Sequence, residues 1–167
     1  LNSTSQPIDM RSFFLTGLFL LAHYAFGQFI PSGSTWKYYD LAMEPPNQSG
    51  VAWKENAYSD SSWSSGPAQL GYGDGDESTV ISSSTLTGYF RHSFVVDDPG
   101  DYASLDLNLT YDDGAVIYLN GTEIWRVNMP AGTITYNTYA SSTSSENAQT
   151  STNVPNTLMN GTNVLAV

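Results

Sequence analysis

The chain has 167 residues with no cysteine, 40% hydrophobic and 13% aromatic content, and only 13% charged side chains. That is enough for one domain with a real core and too little for two. Sixteen acidic against five basic residues give a formal charge of −11. Lys37, Lys54, Arg91 and Arg126 cannot build a basic patch, which argues against nucleic acid and anionic membranes as partners. Without cysteine there are no disulfides and no thiolate metal sites, although export stays open.

In chain order, Met10-Arg11 leads into the apolar run Phe13 to Ala22 and then the small-x-small triplet Ala25-Phe26-Gly27. A positive charge, a short apolar run and a small-residue site are the layout of a signal peptide over residues 10–27, cleaved before Gln28. The run is too short to stay in a bilayer as an anchor. Residues 1–9 are then expected to be upstream translation, and 28–167 the mature module. Removing residues 1–27 takes away Asp9 and Arg11 and leaves the charge at −11. The last segment, "NGTNVLAV" (160–167), reads as a strand with no turn after it, from which we expect a C-terminal truncation with further domains downstream.

From Gln28 onward no stretch keeps apolar residues at helical spacing for three turns, whereas alternation is common. In "YFRHSFVV" (89–96), Phe90, Phe94 and Val96 share one face, with His92 between the two phenylalanines, and Tyr89, Arg91 and Ser93 share the other. In "SLDLNLTY" (104–111), Leu105, Leu107 and Leu109 face a core while Asp106, Asn108 and Thr110 face water, as expected for a half-buried antiparallel strand. Asn120-Gly121 is a hairpin signal, because a type I′ turn needs positive φ at both central residues. A two-residue turn there pairs Leu119 with Thr122, Ile117 with Ile124 and Val116 with Trp125, and places Tyr118 and Trp125 opposite the core. Residues 60–88 and 138–153 resist strand assignment. Composition and turn spacing predict an all-β fold, an antiparallel β-sandwich or jelly roll.

The series "YFRHSFVV…YDDGAVIYLNG…NGTNVLAV" resembles the galactose-binding-domain-like β-sandwiches, in particular the sugar-binding jelly roll of family 2 glycoside hydrolases. "DSSW" (60–63) is similar to the Asp-x-x-Trp segment that precedes that family's first core strands. "WSSGPAQLGYGDGDEST" with "YDDGAVIYLNGTEI" resembles accessory modules of large exported bacterial proteins. The resemblance covers about residues 36–167. It implies a galactose-binding-like sandwich without catalytic residues, because catalysis in that family belongs to a separate barrel, and it favours a structural Ca²⁺.

Three groups of residues are candidates for function. Asp112-Asp113 could hold Ca²⁺ or accept hydrogen bonds from sugar hydroxyls; the structural alternative has one Asp capping the turn and the other pairing with Arg91. As a glycosidase pair they fail, since two adjacent strand residues point to opposite faces instead of flanking a substrate. "GYGDGDES" (71–78) offers Asp74, Asp76 and Glu77 between glycines, a composition that suits a Ca²⁺ loop but lacks EF-hand spacing; the alternative is an exposed acidic turn. Among the aromatics, Tyr72, Tyr118 and Trp125 are candidates to stack on a sugar, with Trp36 and Trp53 assigned to the core. Two histidines and no cysteine leave little material for a zinc site or a Ser-His-Asp triad. The expectation is a secreted or cell-surface, non-catalytic accessory module whose partners are a polysaccharide and downstream domains of the same polypeptide. The alternative is a spacer or docking domain that binds no glycan.

Overall fold

The computed structural model describes residues 28–73 and 75–167. The signal-peptide assignment (10–27) and Asp74 lie outside the described residues.

The fold is all-β, built from β1 (Thr35–Tyr39), β2 (Ser64–Pro67), β3 (Leu70–Gly71), β4 (Thr79–Val80), β5 (Tyr89–Val96), β6 (Ser104–Tyr111), β7 (Ala115–Leu119), β8 (Thr122–Val127), β9 (Ala148–Pro155) and β10 (Gly161–Ala166). A single 3-10 turn, Pro99–Asp101, follows β5, and Asp98 caps it by accepting from the Gly100 amide. Six strands form one sheet in the order β2-β1-β5-β10-β7-β8, and β6 pairs with β9 in a second sheet. All these pairings are antiparallel, and only the short β3–β4 ladder runs parallel. The result is the expected antiparallel sandwich.

The Asn120-Gly121 turn forms with φ of 53° and 86°, as type I′ demands. Asn120 does more than turn the chain. Its amide oxygen accepts from the Val164 amide at 2.9 Å and its amide nitrogen donates to Asn163 Oδ1 at 2.8 Å, which fastens the hairpin to β10. Asn163 is fully buried. It also accepts from the Met159 amide and donates to the Met159 and Gly161 carbonyls, so its polar atoms are satisfied where water cannot reach.

Packing differs from the sequence expectation in a definite way. The tight cluster lies on the outer face of the large sheet, where Tyr89, Val116, Tyr118 and Ala166 meet Trp53, Tyr58 and Trp63 from the β1–β2 connection. Trp53 packs edge-on against Tyr89 (4.9 Å between centroids) and Tyr118 (5.8 Å). On the inner face Ile117 and Leu119 are buried. Phe94, Leu105, Leu107 and Leu109 are only half-buried and line a shared cavity of about 2230 Å³. Phe29 fills part of the space beside Phe94, 5.3 Å between ring centroids.

Three further expectations are corrected. Arg91 pairs with Asp60 and not with the Asp112-Asp113 pair. It is 2% exposed, donates Nε to Asp60 Oδ2 at 2.9 Å, and its other nitrogens donate to the carbonyls of Trp53, Glu55 and Tyr58. A guanidinium fork suits this task because it offers several donors in one plane. The hairpin register slips at a bulge between Ile117 and Tyr118, so Trp125 pairs with Ile117 and Arg126 with Val116. Finally, both stretches left unassigned contain strands: β2 to β4 inside 60–88, and β9 inside 138–153. In β9 the inward positions opposite Leu107 and Leu109 are Thr152 and Thr150, so the apolar alternation that marks a strand is missing.

Candidate functional site

The strand register gathers several connections at one end of the sandwich. The pairs Tyr39–Tyr89, Ala115–Val127 and Tyr111–Ala148 put the β1 exit, the β5 entry, the bend 112–114 and the long β8–β9 loop there together. Hydrogen bonds tie these loops into one surface. Asp40 accepts from the Ser82 amide at 2.8 Å, Thr85 Oγ1 donates to the Asp40 carbonyl at 2.8 Å, and Tyr136 Oη accepts from the Leu86 amide at 3.0 Å. Thr87 Oγ1 closes the circuit on the Tyr136 carbonyl at 2.7 Å.

Asp112 and Asp113 sit in this surface, in the bend between β6 and β7 rather than on a strand. Freed from strand alternation, both carboxylates reach the same side chain. Asp113 Oδ1 accepts from the Ser144 amide at 2.7 Å, and Ser144 Oγ lies 3.4 Å from Asp112 Oδ1 and 3.4 Å from Asp113 Oδ1. Asn128 Nδ2 holds the same loop by donating to the carbonyls of Asp113 (2.8 Å) and Ser142 (2.6 Å). The polar stretch 138–147 is therefore pinned by three side chains that the sequence reading did not connect to it. Asn128 was detectable as an Asn at a strand end, and its φ of 49° is the left-handed conformation Asn tolerates.

Tyr72 is 45% exposed, and its hydroxyl donates to the Thr85 carbonyl at 3.1 Å, which fixes the ring at the rim of this end. Tyr139, on the β8–β9 loop, is 72% exposed. The other two aromatic candidates are placed elsewhere. Tyr118 belongs to the buried cluster, and Lys54 Nζ lies over its ring 4.2 Å from the centroid. Burial raises the Tyr118 phenol above its usual range, with the Glu123 carboxylate adding to the effect. Trp125 is half-buried on the edge strand β8, turned by the bulge to the face that carries Ile117. The expected Tyr118–Trp125 platform does not form. His92 is half-buried, packs 5.2 Å from the Trp36 ring, and donates Nδ1–H to the Thr35 carbonyl at 2.9 Å.

Of the proposed calcium ligands, Asp76 accepts from Asn147 Nδ2 at 2.8 Å, and Glu77 accepts from the Gly75 amide at 3.0 Å. Asn147 in turn accepts from Gln69 Nε2 at 2.6 Å, so this loop is braced against the start of β9. Among the described residues no three His, Cys, Asp or Glu side chains come together as a metal cluster.

No family model and no curated protein matches the chain. Among solved structures it is similar to a beta-glucuronidase from an uncultured Clostridium sp., at 18% identity and a TM-score of 0.44, over 80% of this chain and 20% of that one. It is similar to a beta-glycosidase from Bacteroides vulgatus at 13% identity and a TM-score of 0.47, over 84% of this chain and 17% of that one. A third is beta-glucuronidase 2 of Bacteroides uniformis, at 15% identity and a TM-score of 0.40, over 81% and 14%. The chain thus spans at most a fifth of the length of these glycoside hydrolases.

Proposed function

We propose that this chain is a non-catalytic, carbohydrate-binding accessory module of a larger secreted or cell-surface protein, exported by residues 10–27 and used beside further domains of the same polypeptide. The observation that carries the reading is the loop end itself, where an exposed Tyr72 anchored through its hydroxyl shares a hydrogen-bonded surface with the Asp112-Asp113 carboxylates. A fixed aromatic ring beside acceptors of defined position is the chemistry that grips a sugar's apolar face and its hydroxyls. Catalysis has no support from this pair, because both acids turn to one serine instead of flanking a bond. Ca²⁺ on Asp74, Asp76 and Glu77 completes the proposal as a support for the loop beside β9, and chelation would lower the melting temperature if the ion is held there.

Affinity electrophoresis against a panel of neutral plant and bacterial polysaccharides tests the reading. Retention should occur, and Tyr72→Ala should weaken it about tenfold, the effect of about 1.4 kcal/mol of lost contact. Retention of no polysaccharide would overturn it. The docking alternative draws on exposed Leu41, Met43, Val80 and Leu86. It predicts no retention at all, and stabilisation only when the adjoining domain is supplied.

A further inference from the structure

Buried hydroxyls are nearly always hydrogen-bonded, so one that is not calls for a partner from outside the chain. Tyr89 is 5% exposed, and its hydroxyl has no hydrogen-bond partner among the described residues. It projects from the entry of β5 on the outer face of the large sheet, at the loop end of the sandwich that also carries Tyr72. The cavity that Tyr89 lines also carries Trp53, Tyr118, Glu44, Asn47 and Lys54, and it is continuous with the one that takes in Tyr72 and the Asp112-Asp113 bend. Trp53 stands edge-on to the Tyr89 ring, and the Lys54 ammonium rests on Tyr118. Burial, with the Glu44 carboxylate next in importance, drives the Tyr89 phenol far above its ordinary range and keeps it protonated, a donor as well as an acceptor. Glu44 itself is exposed.

We propose that this pocket is a second saccharide subsite, in which the Tyr89 hydroxyl and the Glu44 carboxylate bind adjacent hydroxyls of a neutral sugar against Trp53. The proposal rests on the glycan-binding reading above and deepens it by adding polar groups elsewhere on the wall of the same cavity. The polar groups match a polyol: a phenol that donates and accepts, a carboxylate that accepts, and a lysine ammonium that donates. The charge argues for a neutral sugar over a uronic acid, because the exposed Glu44 carboxylate, on a protein carrying −11, repels an anion.

The test uses methyl β-D-galactopyranoside and methyl β-D-glucopyranoside as probes, with methyl β-D-glucuronide as the charge control, read by saturation-transfer NMR and tryptophan fluorescence. The neutral glycosides should bind, the glucuronide at least tenfold more weakly. Tyr89→Phe and Glu44→Gln should each weaken neutral binding about tenfold. Without sugar, Tyr89→Phe should melt no lower than the parent, because it removes a hydroxyl that bonds to none of the described residues. Equal binding by Tyr89→Phe, or a lowered melting temperature of that variant, would overturn the subsite. If Tyr72→Ala abolishes binding and Tyr89→Phe does not, the subsite falls and the glycan reading stands; if no glycoside or polysaccharide binds, both fall.

Discussion

Replacing Arg91 by alanine should be the most damaging single change in the outer layer. The side chain ties β5 to residues 53–60 through the Asp60 carboxylate at 2.9 Å, the Glu55 carbonyl at 3.1 Å, the Tyr58 carbonyl at 3.2 Å and the Trp53 carbonyl. Each charge-assisted bond contributes about 1.5–3 kcal/mol when counted alone, and the set is not additive. Breaking a buried pair from one side costs about 3–5 kcal/mol. Asp60 keeps 23% of its side chain in water and can rehydrate, which favours the lower half of that range. The expected loss is about 3–4 kcal/mol, or about 10 °C in melting temperature for a domain of this size. Urea unfolding followed by circular dichroism and tryptophan fluorescence measures it, and Trp53 and Trp63 should report exposure as their segment loosens. Arg91→Lys should recover less than half, since an ammonium cannot reproduce the fork. A loss below about 1 kcal/mol for Arg91→Ala, or parental stability for Arg91→Lys, would refute the clamp.

Three other outcomes are expected. Asn163→Ala should cost about 2–4 kcal/mol in urea unfolding, because the Met159 and Gly161 carbonyls and the Asn120 amide lose their buried partner. Gly66→Ala should destabilise by about 1–3 kcal/mol, since a Cβ there would come within 2.3 Å of Thr79 Oγ1; a melting temperature unchanged from the parent would contradict it. The Arg126 hydrogen bond holds the Glu123 carboxyl below its ordinary range, so this pair stabilises above the unfolded carboxylate pKa and is lost as pH falls through the folded value. Glu123 keeps 37% of its side chain in water, so solvent screening limits the contribution to about 0.5 kcal/mol or less; an NMR titration should find the Glu123 midpoint low and Arg126→Gln should return it to normal.

What the sequence made legible was local. Leu105, Leu107 and Leu109 alternate cleanly, and Asn120-Gly121 permits a single tight turn, so β6 and the β7–β8 hairpin could be drawn before any coordinates. The misreadings share a cause in long-range packing. Alternation groups Arg91 with Tyr89 and Ser93 but carries no sign of what covers that face; residues 51–63 cover it, and their carbonyls need a donor. Trp125 was placed on the wrong face by one residue, because a bulge leaves no mark in a strand of ordinary β-formers. β9 carries no strand pattern because Thr150 and Thr152 hold its two middle inward positions. At the candidate site, Tyr72 and the acidic pair were visible as residue types, yet the serine and asparagine that orient the pair come from a loop whose sequence carries no pattern.

The Asn120-Gly121 turn also decides how the protein should age. Asn-Gly is a sequence where side-chain amides are lost slowly as ammonia, and here the amide nitrogen is the donor that meets Asn163 Oδ1 at 2.8 Å. Conversion to aspartate would set a carboxylate against that oxygen, acceptor to acceptor, at the junction between the hairpin and β10. Damage at a surface corner would so be transmitted straight to a central strand, and stored samples should lose β10 amide protection in step with deamidation at residue 120.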